Sequence, residues 1–136
     1  MADGLERFVA AQAGSWDDAV AELRAGAKRS HWMWWIFPQI AGLGRSDTAR
    51  YYAIASADEA RAYLAHPLLG PRLVEAAETV ARARGSADAV MGSIDAVKLR
   101  SSMTLFAAVA ADPAPFRAVL DRFYGGEDDA ATQALL

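Results

Sequence analysis

The sequence contains no cysteine and only two histidines in its 136 residues. Without cysteine it can form no disulfide, thiolate nucleophile, zinc-thiolate site or iron-sulfur cluster, a composition that suits a reducing compartment. The two histidines, His31 and His66, are too few for most metal sites that rely on imidazole ligands. We therefore expect no bound metal and no cofactor.

The chain also lacks a surplus of positive charge and a long apolar run. Its formal net charge is -3, whereas a nucleic-acid binder needs a broad cationic face, so nucleic acid is disfavoured as a partner. No stretch approaches the ~20 apolar residues of a membrane span, and the early acids Asp3 and Glu6 do not suit a signal peptide. We expect a cytoplasmic protein that does not associate with membranes.

Residues that favour helices dominate the composition. Hydrophobic residues make up 54% of the chain; alanine, the best helix former, supplies much of that share, while valine and isoleucine are few and scattered. The chain length fits one domain, and no linker divides it. We expect an all-α fold of about six to eight helices in one compact domain over residues 1–136.

Capping residues, glycines and prolines locate these helices. Asp3 is a candidate cap for the first helix, the Ser56 to Glu59 box opens another, Pro71 is expected at the first position of a third, and Asp129 caps the last. The expected helical spans are 5–13, 16–25, 31–36, 57–65, 71–84, 94–111, 116–124 and 130–136. Residues 48–52 and 87–91 can each add a short turn.

The span from Ile94 to about Ala111 is long enough to cross the domain. Its apolar residues, including Ile94, Val97, Leu105 and Phe106, predict a central buried helix with little exposed face.

One stretch concentrates three of the four tryptophans behind two cations: KRSHWMWWIFPQ, residues 28–39. Ser30 is a candidate N-cap and Pro38 should end the element, because the residue before a proline avoids the α region. Apolar residues at both parities leave a buried strand as the alternative. We favour the helix.

The side chains of this stretch suit an anionic ligand. Lys28 and Arg29 can bind phosphate or carboxylate, while the faces of Trp32 and Trp34 can stack on a base or sugar. His31 can act as a general acid or base, since imidazole titrates near pH ~6.5. The alternative is that the tryptophans are core and the cations close their exposed edge.

Polar residues interrupt the predicted central helix, where a buried helix should be apolar. They can close the same pocket, or they can instead reach solvent and bond to carbonyls of their own helix. The residues are Lys98, Arg100, Ser101 and Ser102.

The segment with Gly42 and Gly44 can present backbone N-H groups to the same anion, together with the guanidinium of Arg45. A bare Gly-x-Gly is, however, more typical of a turn.

Six blocks of sequence stand out along nearly the whole chain: LERFVAAQ (5–12), KRSHWMWWIFPQ (28–39), GLG (42–44), AYLAHPLLG (62–70), KLRSSMTLF (98–106) and FYGG (123–126). They resemble the signature blocks of the bacterial domain-of-unknown-function family numbered 1810. The resemblance implies one mainly α-helical domain. It brings no established activity, cofactor or catalytic residue.

The residues favour binding of an anionic, nucleotide-like small molecule between the His31-Trp32 segment and the Lys98 to Ser102 turn, with any processing of it left open. In an enzyme, His31 would be the acid-base group and Lys98 or Arg100 the charge stabiliser, so these side chains would have to converge in one pocket. The alternative is a non-enzymatic protein-interaction or structural module with the aromatic block as core and an apolar surface patch. The sequence does not indicate an oligomeric state.

Overall fold

The computed structural model describes residues 4–136, and there the chain forms ten helices. They are α1 Glu6–Ala13, α2 Trp16–Ala25, α3 Met33–Ile36, α4 Asp47–Tyr51, α5 Ala57–Ala65, α6 Leu69–Ala81, α7 Ala87–Met91, α8 Ser93–Val109, α9 Ala114–Tyr124 and α10 Ala130–Ala134. The all-α prediction is confirmed. The helices outnumber the expected six to eight because α3, α4, α7 and α10 have only four or five residues each.

Side-chain hydrogen bonds cap the N-termini of several of these helices. Ser56 Oγ accepts a hydrogen bond from the Glu59 N-H at 3.2 Å, and Asp129 accepts one from the Thr132 N-H at 3.0 Å, as the sequence predicts. Ser46 and Ser86 cap α4 and α7 in the same way. Asp3, the candidate cap of the first helix, lies outside the described residues.

The tryptophan-rich stretch contains a helix, α3, and not a strand. It ends at Ile36, shortly before Pro38, as expected, but it begins at Met33 and not near residue 31. The predicted cap Ser30 does not act as one, because the helix begins later and Trp32 occupies the N-cap position. The Ser30 Oγ instead donates to the Glu22 carboxylate at 2.6 Å.

Helix α6 also begins earlier than predicted. It starts at Leu69, so Pro71 occupies the third helical position and not the first. A proline is tolerated throughout the first turn because the N-H groups there have no partner within the helix. The adjacent Gly70 is buried, with its Cα close to the Leu64 carbonyl at the end of α5.

Helix α8 is central, but the prediction that it has little exposed face is wrong. Ile94 is 73% exposed and Val97 is 65% exposed, whereas Leu99 and Phe106 are fully buried. Helices α5, α7, α9 and α10 contact α8. They leave the side that carries Ile94 and Val97 facing solvent.

The core is built around a line of buried aromatic rings. Phe8 of α1 meets Tyr63 of α5 edge to face at 5.2 Å between ring centroids, Tyr63 lies 5.4 Å from Phe106 of α8, and Phe106 lies 6.0 Å from Phe116 of α9. All four are at most 1% exposed. Burying each such ring contributes roughly 1.5–3 kcal/mol, so this line ties four helices into one core.

Every helix among residues 4–136 is too short or too polar to cross a membrane.

Replacing Gly70 with alanine should destabilise the fold. The new Cβ would collide with the Leu64 carbonyl oxygen, a backbone atom that cannot move without shifting α5. We expect a loss of about 1–3 kcal/mol in the free energy of unfolding, measured by urea denaturation. Gly14→Ala is the matched control, because nothing lies near its added Cβ, and it should change stability by less than about 1 kcal/mol. Equal effects of the two substitutions would contradict the proposed close approach.

Candidate functional site

An open cavity of about 620 Å³ lies between α3, the loop from residue 39 to α4, the first half of α8, and the start of α10. This volume is within the range of small-molecule sites. The walls combine apolar and polar side chains. Its main lining residues are Trp34, Gln39, Leu43, Arg45, Ser46, Ser93, Ile94, Val97, Lys98, Ser101 and Asp129.

Four of the ten residues singled out from the sequence line this cavity: Trp34, Arg45, Lys98 and Ser101. They come from three separate parts of the chain. The other six, Lys28, Arg29, His31, Trp32, Arg100 and Ser102, are not part of its lining.

Arg45 reaches the cavity because the loop before α4 is tightly constrained. Ile40 and Ile54 form a parallel β-bridge, in which the Ala41 N-H donates to the Ile54 carbonyl at 2.8 Å. Gly42 has a φ of 107°, a conformation that favours glycine. A Cβ on Gly44 would lie 2.5 Å from the Ala49 Cβ. The loop therefore folds back closely on α4 and leaves the Arg45 side chain exposed at the cavity.

One carboxylate, Asp95, joins the two lysines that the sequence placed near the tryptophans. Lys28 Nζ lies 2.9 Å from Asp95 Oδ2, and Lys98 Nζ lies 3.4 Å from Asp95 Oδ1. Lys28 also lies over the Trp32 ring at 4.9 Å from its centroid, and Lys98 over Trp34 at 4.7 Å. Positive charge over an indole face is a favourable cation-π contact.

The two lysines differ in what they can reach. The Lys28 side chain is only 8% exposed, and its Nζ also donates to the Ser30 carbonyl at 2.5 Å, so it holds the chain entering α3 against α8. The Lys98 side chain is 25% exposed and lines the cavity. Lys28 is thus a structural cation, and Lys98 is the one placed to meet a ligand.

Trp32 belongs to the core, as the structural alternative held. It is fully buried, and its Nε1 donates to Glu22 Oε1 at 2.9 Å. The same carboxylate accepts from the N-H groups of Arg29 and Ser30 at 2.7 and 2.9 Å, in addition to the Ser30 hydroxyl. Glu22 of α2 therefore organises the backbone that leads into α3.

The hydrogen bonds to Glu22 also determine its ionisation. Burial is the largest influence and raises the pKa of this carboxyl, but hydrogen bonds from Ser30, from two backbone N-H groups and from Trp32 outweigh it. Together they lower the pKa of Glu22 from 4.5 to about 2.

His31 and Arg29 lie outside the cavity. Both are exposed, and neither side chain makes a hydrogen bond or ion pair with another residue in the range 4–136. Arg100 points elsewhere, and only Lys98 of the proposed catalytic trio lines the cavity. The enzyme hypothesis required His31 and its charge stabilisers to converge, and that convergence is missing.

Arg100 of α8 binds the segment that connects α9 to α10. Its Nε donates to the Glu127 carbonyl at 3.1 Å, and its Nη2 donates to the Asp128 carbonyl at 3.0 Å and lies 3.4 Å from the Glu127 carboxylate. Ser102 is fully buried, and its Oγ has no hydrogen-bond partner in the described part of the chain. Neither residue is placed to contact a ligand in the cavity.

Ser101 links α8 to α10 at the cavity wall. Its Oγ lies 3.3 Å from the Val97 carbonyl, the bond within its own helix that was one alternative, and 3.2 Å from Asp129 Oδ2. The sequence identified Asp129 only as a cap, and it did not identify Asp95 at all. The one available signal for Asp95 was its position three residues before Lys98, a spacing that brings two helical side chains together.

The chain matches a protein family and a solved structure over nearly its whole length. The model of a family described as "protein of unknown function (DUF1810)" matches residues 2–136. The crystal structure of the conserved hypothetical protein Rv1873 from Mycobacterium tuberculosis is 51% identical in sequence, with a TM-score of 0.95, over 97% of this chain and 95% of that chain. No curated protein matches the chain. The resemblance inferred from the six sequence blocks is confirmed.

Replacing Glu22 with glutamine should make the free energy of unfolding less dependent on pH in the acidic range. A folded pKa below the unfolded value stabilises the fold fully above pH 4.5, and that contribution is lost as pH falls toward about 2. We therefore expect Glu22→Gln to be less stable than the wild type at neutral pH, and the gap to narrow below pH 4.5. Urea denaturation across this pH range measures the gap.

The exposed Glu78 of α6 provides the control, because Glu78→Gln makes the same change in net charge away from these hydrogen bonds. A stability gap for Glu22→Gln that stays constant with pH would contradict the assignment.

Proposed function

We infer the function from the cavity itself, because the chain belongs to the DUF1810 family, whose description names no activity. We propose that the protein binds a small anionic molecule with a planar ring, of the nucleotide class, between α3 and α8. The observation that carries the proposal is that Trp34, Arg45 and Lys98 line one open cavity of about 620 Å³.

These three side chains complement different parts of a nucleotide. Arg45 is exposed and pairs with no carboxylate among residues 4–136, so its guanidinium is available for the forked hydrogen bonds that phosphate accepts. Trp34 offers an indole surface on which a base or sugar can pack. Ile94 and Val97 add apolar area to the same wall.

Lys98 can turn to an incoming anion at modest cost. Asp95 lies closer to Lys28, at 2.9 Å, than to Lys98, at 3.4 Å. A lysine ammonium has three donors, and a partly exposed ion pair of this kind contributes little stability, typically up to ~1 kcal/mol. A bound phosphate would therefore compete with Asp95 for one of the Lys98 donors without breaking the contact between Lys28 and Asp95.

The proposal is limited to binding, because His31, the acid-base group predicted from the sequence, does not line the cavity. The cytoplasm, a reducing compartment that suits a chain without cysteine, stays the predicted location.

A second candidate is a protein-interaction module. It is favoured by Ile94 and Val97, which are 73% and 65% exposed and lie about one turn apart on α8. A contiguous exposed apolar patch can mark a surface that a partner covers, and these two side chains would lie at its centre. This candidate depends on Ile94 and Val97, whereas ligand binding depends mainly on Arg45 and Lys98.

Nucleoside monophosphates should stabilise the wild type against heat, and loss of either cavity cation should weaken that binding. A ligand at ~100 times its dissociation constant adds about 2.7 kcal/mol to the free energy of unfolding. Because each cation makes a charged hydrogen bond to the phosphate, we expect Lys98→Ala and Arg45→Ala each to raise Kd by about tenfold or more. Thermal shift and titration calorimetry measure both effects.

Arg29→Ala and His31→Ala are the matched controls, since both residues belong to the same sequence motif but lie outside the cavity. They should bind as the wild type does. Equal weakening by all four variants would indicate a general surface charge effect. A protein partner that Ile94→Asp abolishes, with no nucleotide binding, would favour the interaction module.

A further inference from the structure

Asp129 places a carboxylate in the wall of the cavity, among groups that otherwise favour an anion. Its Oδ2 atom is fully engaged, because it accepts from the Thr132 N-H at 3.0 Å and the Thr132 hydroxyl at 2.6 Å and lies 3.2 Å from Ser101 Oγ. Its Oδ1 atom accepts no hydrogen bond from residues 4–136. One oxygen of this carboxylate is therefore left for a partner from outside the chain.

The backbone of Asp129 is held as firmly as its side chain. Its N-H donates to Thr104 Oγ1 at 2.8 Å, and Thr104 Oγ1 donates to the Arg100 carbonyl at 2.9 Å. The residue is thus fixed to α8 before any ligand arrives, and ordering it on binding costs little.

An ionised carboxylate only accepts hydrogen bonds, so its complement on a ligand is an N-H or O-H donor. Adenine and cytosine carry an exocyclic amino donor, whereas uracil carries an oxo acceptor at the equivalent position. An oxo group against Asp129 would place two hydrogen-bond acceptors face to face with no proton between them, which is unfavourable.

We propose that Asp129 selects ligands whose ring bears an amino group, so that the cavity prefers adenine or cytosine nucleotides to those with an oxo group or no substituent there. The inference rests on the proposed function, because Arg45, Lys98 and Trp34 are taken to bind the phosphate and the ring. Asp129 adds the requirement for a donor on that ring.

Asp129→Asn is a sharp test because it can preserve the cap while changing the group that meets the ligand. Asparagine is as good an N-cap as aspartate. Its carbonyl oxygen can take the hydrogen bonds of Thr132 and Ser101, and this turns its amide N-H2 group, a donor, toward the cavity. The probes are AMP with purine riboside 5′-monophosphate, which lacks the amino group, and CMP with UMP.

Titration calorimetry should show that the wild type binds AMP and CMP about tenfold more tightly than their partners in each pair. In Asp129→Asn the AMP advantage should disappear and the pyrimidine preference should reverse toward UMP. Thr132→Val is the structural control. It removes the hydroxyl that bonds Oδ2 but leaves Oδ1 in place, so the preference for amino bases should persist.

Three outcomes would overturn the inference in distinguishable ways. Equal wild-type affinity within both pairs would remove the amino requirement and leave the proposed function standing. Discrimination by the wild type that Asp129→Asn does not alter would remove Asp129 as its source. Failure of all four nucleotides to bind would overturn the proposed function and this inference together.

Discussion

The contact between one carboxylate and two lysines holds the candidate site together. Asp95, in the first turn of α8, binds Lys28 from the chain before α3 and Lys98 from its own helix. Each lysine in turn covers an indole, Trp32 or Trp34. Removing the carboxylate would leave the nearly buried Lys28 ammonium unpaired, which is costly in a protein interior. The position of α3 against α8, and with it the cavity between them, depends on this arrangement.

The tryptophan-rich stretch contributes both to the core and to the cavity wall, through different side chains. Trp32 is core, fixed by its bond to Glu22 and by its complete burial. Trp34, two residues later in α3, is half-buried and forms part of the cavity wall. The structural and the ligand-binding interpretations of this motif therefore both apply, to different side chains. A helix of a single turn suits this division, since it can be anchored through one face while the other faces the cavity.

Local signals in the sequence predicted most of the helices, because caps, glycines and prolines act within a few residues. Of the ten residues singled out for one pocket, only Trp34, Arg45, Lys98 and Ser101 line the cavity. What local signals could not predict depends on residues distant in sequence. Ser30 is not the cap because α3 begins at Met33, and its hydroxyl bonds to Glu22, eight residues earlier. Ile94 and Val97 fit a buried stripe, but periodicity does not reveal which side of α8 its neighbours leave uncovered. In the sequence, Asp95 and Asp129 look like ordinary acidic residues near helix N-termini. Their contacts with Lys28 and Ser101, respectively, join residues far apart in the chain and become visible only in the fold.

The central claim is that the cavity between α3 and α8 holds an anionic, ring-bearing ligand through Arg45, Lys98 and Trp34. A crystal structure of the wild-type protein with AMP at saturating concentration tests it most directly. The account predicts electron density in this cavity, with the phosphate within hydrogen-bond distance of Arg45 and Lys98 and the adenine ring against Trp34. An empty cavity, or AMP bound only elsewhere on the protein, would contradict it.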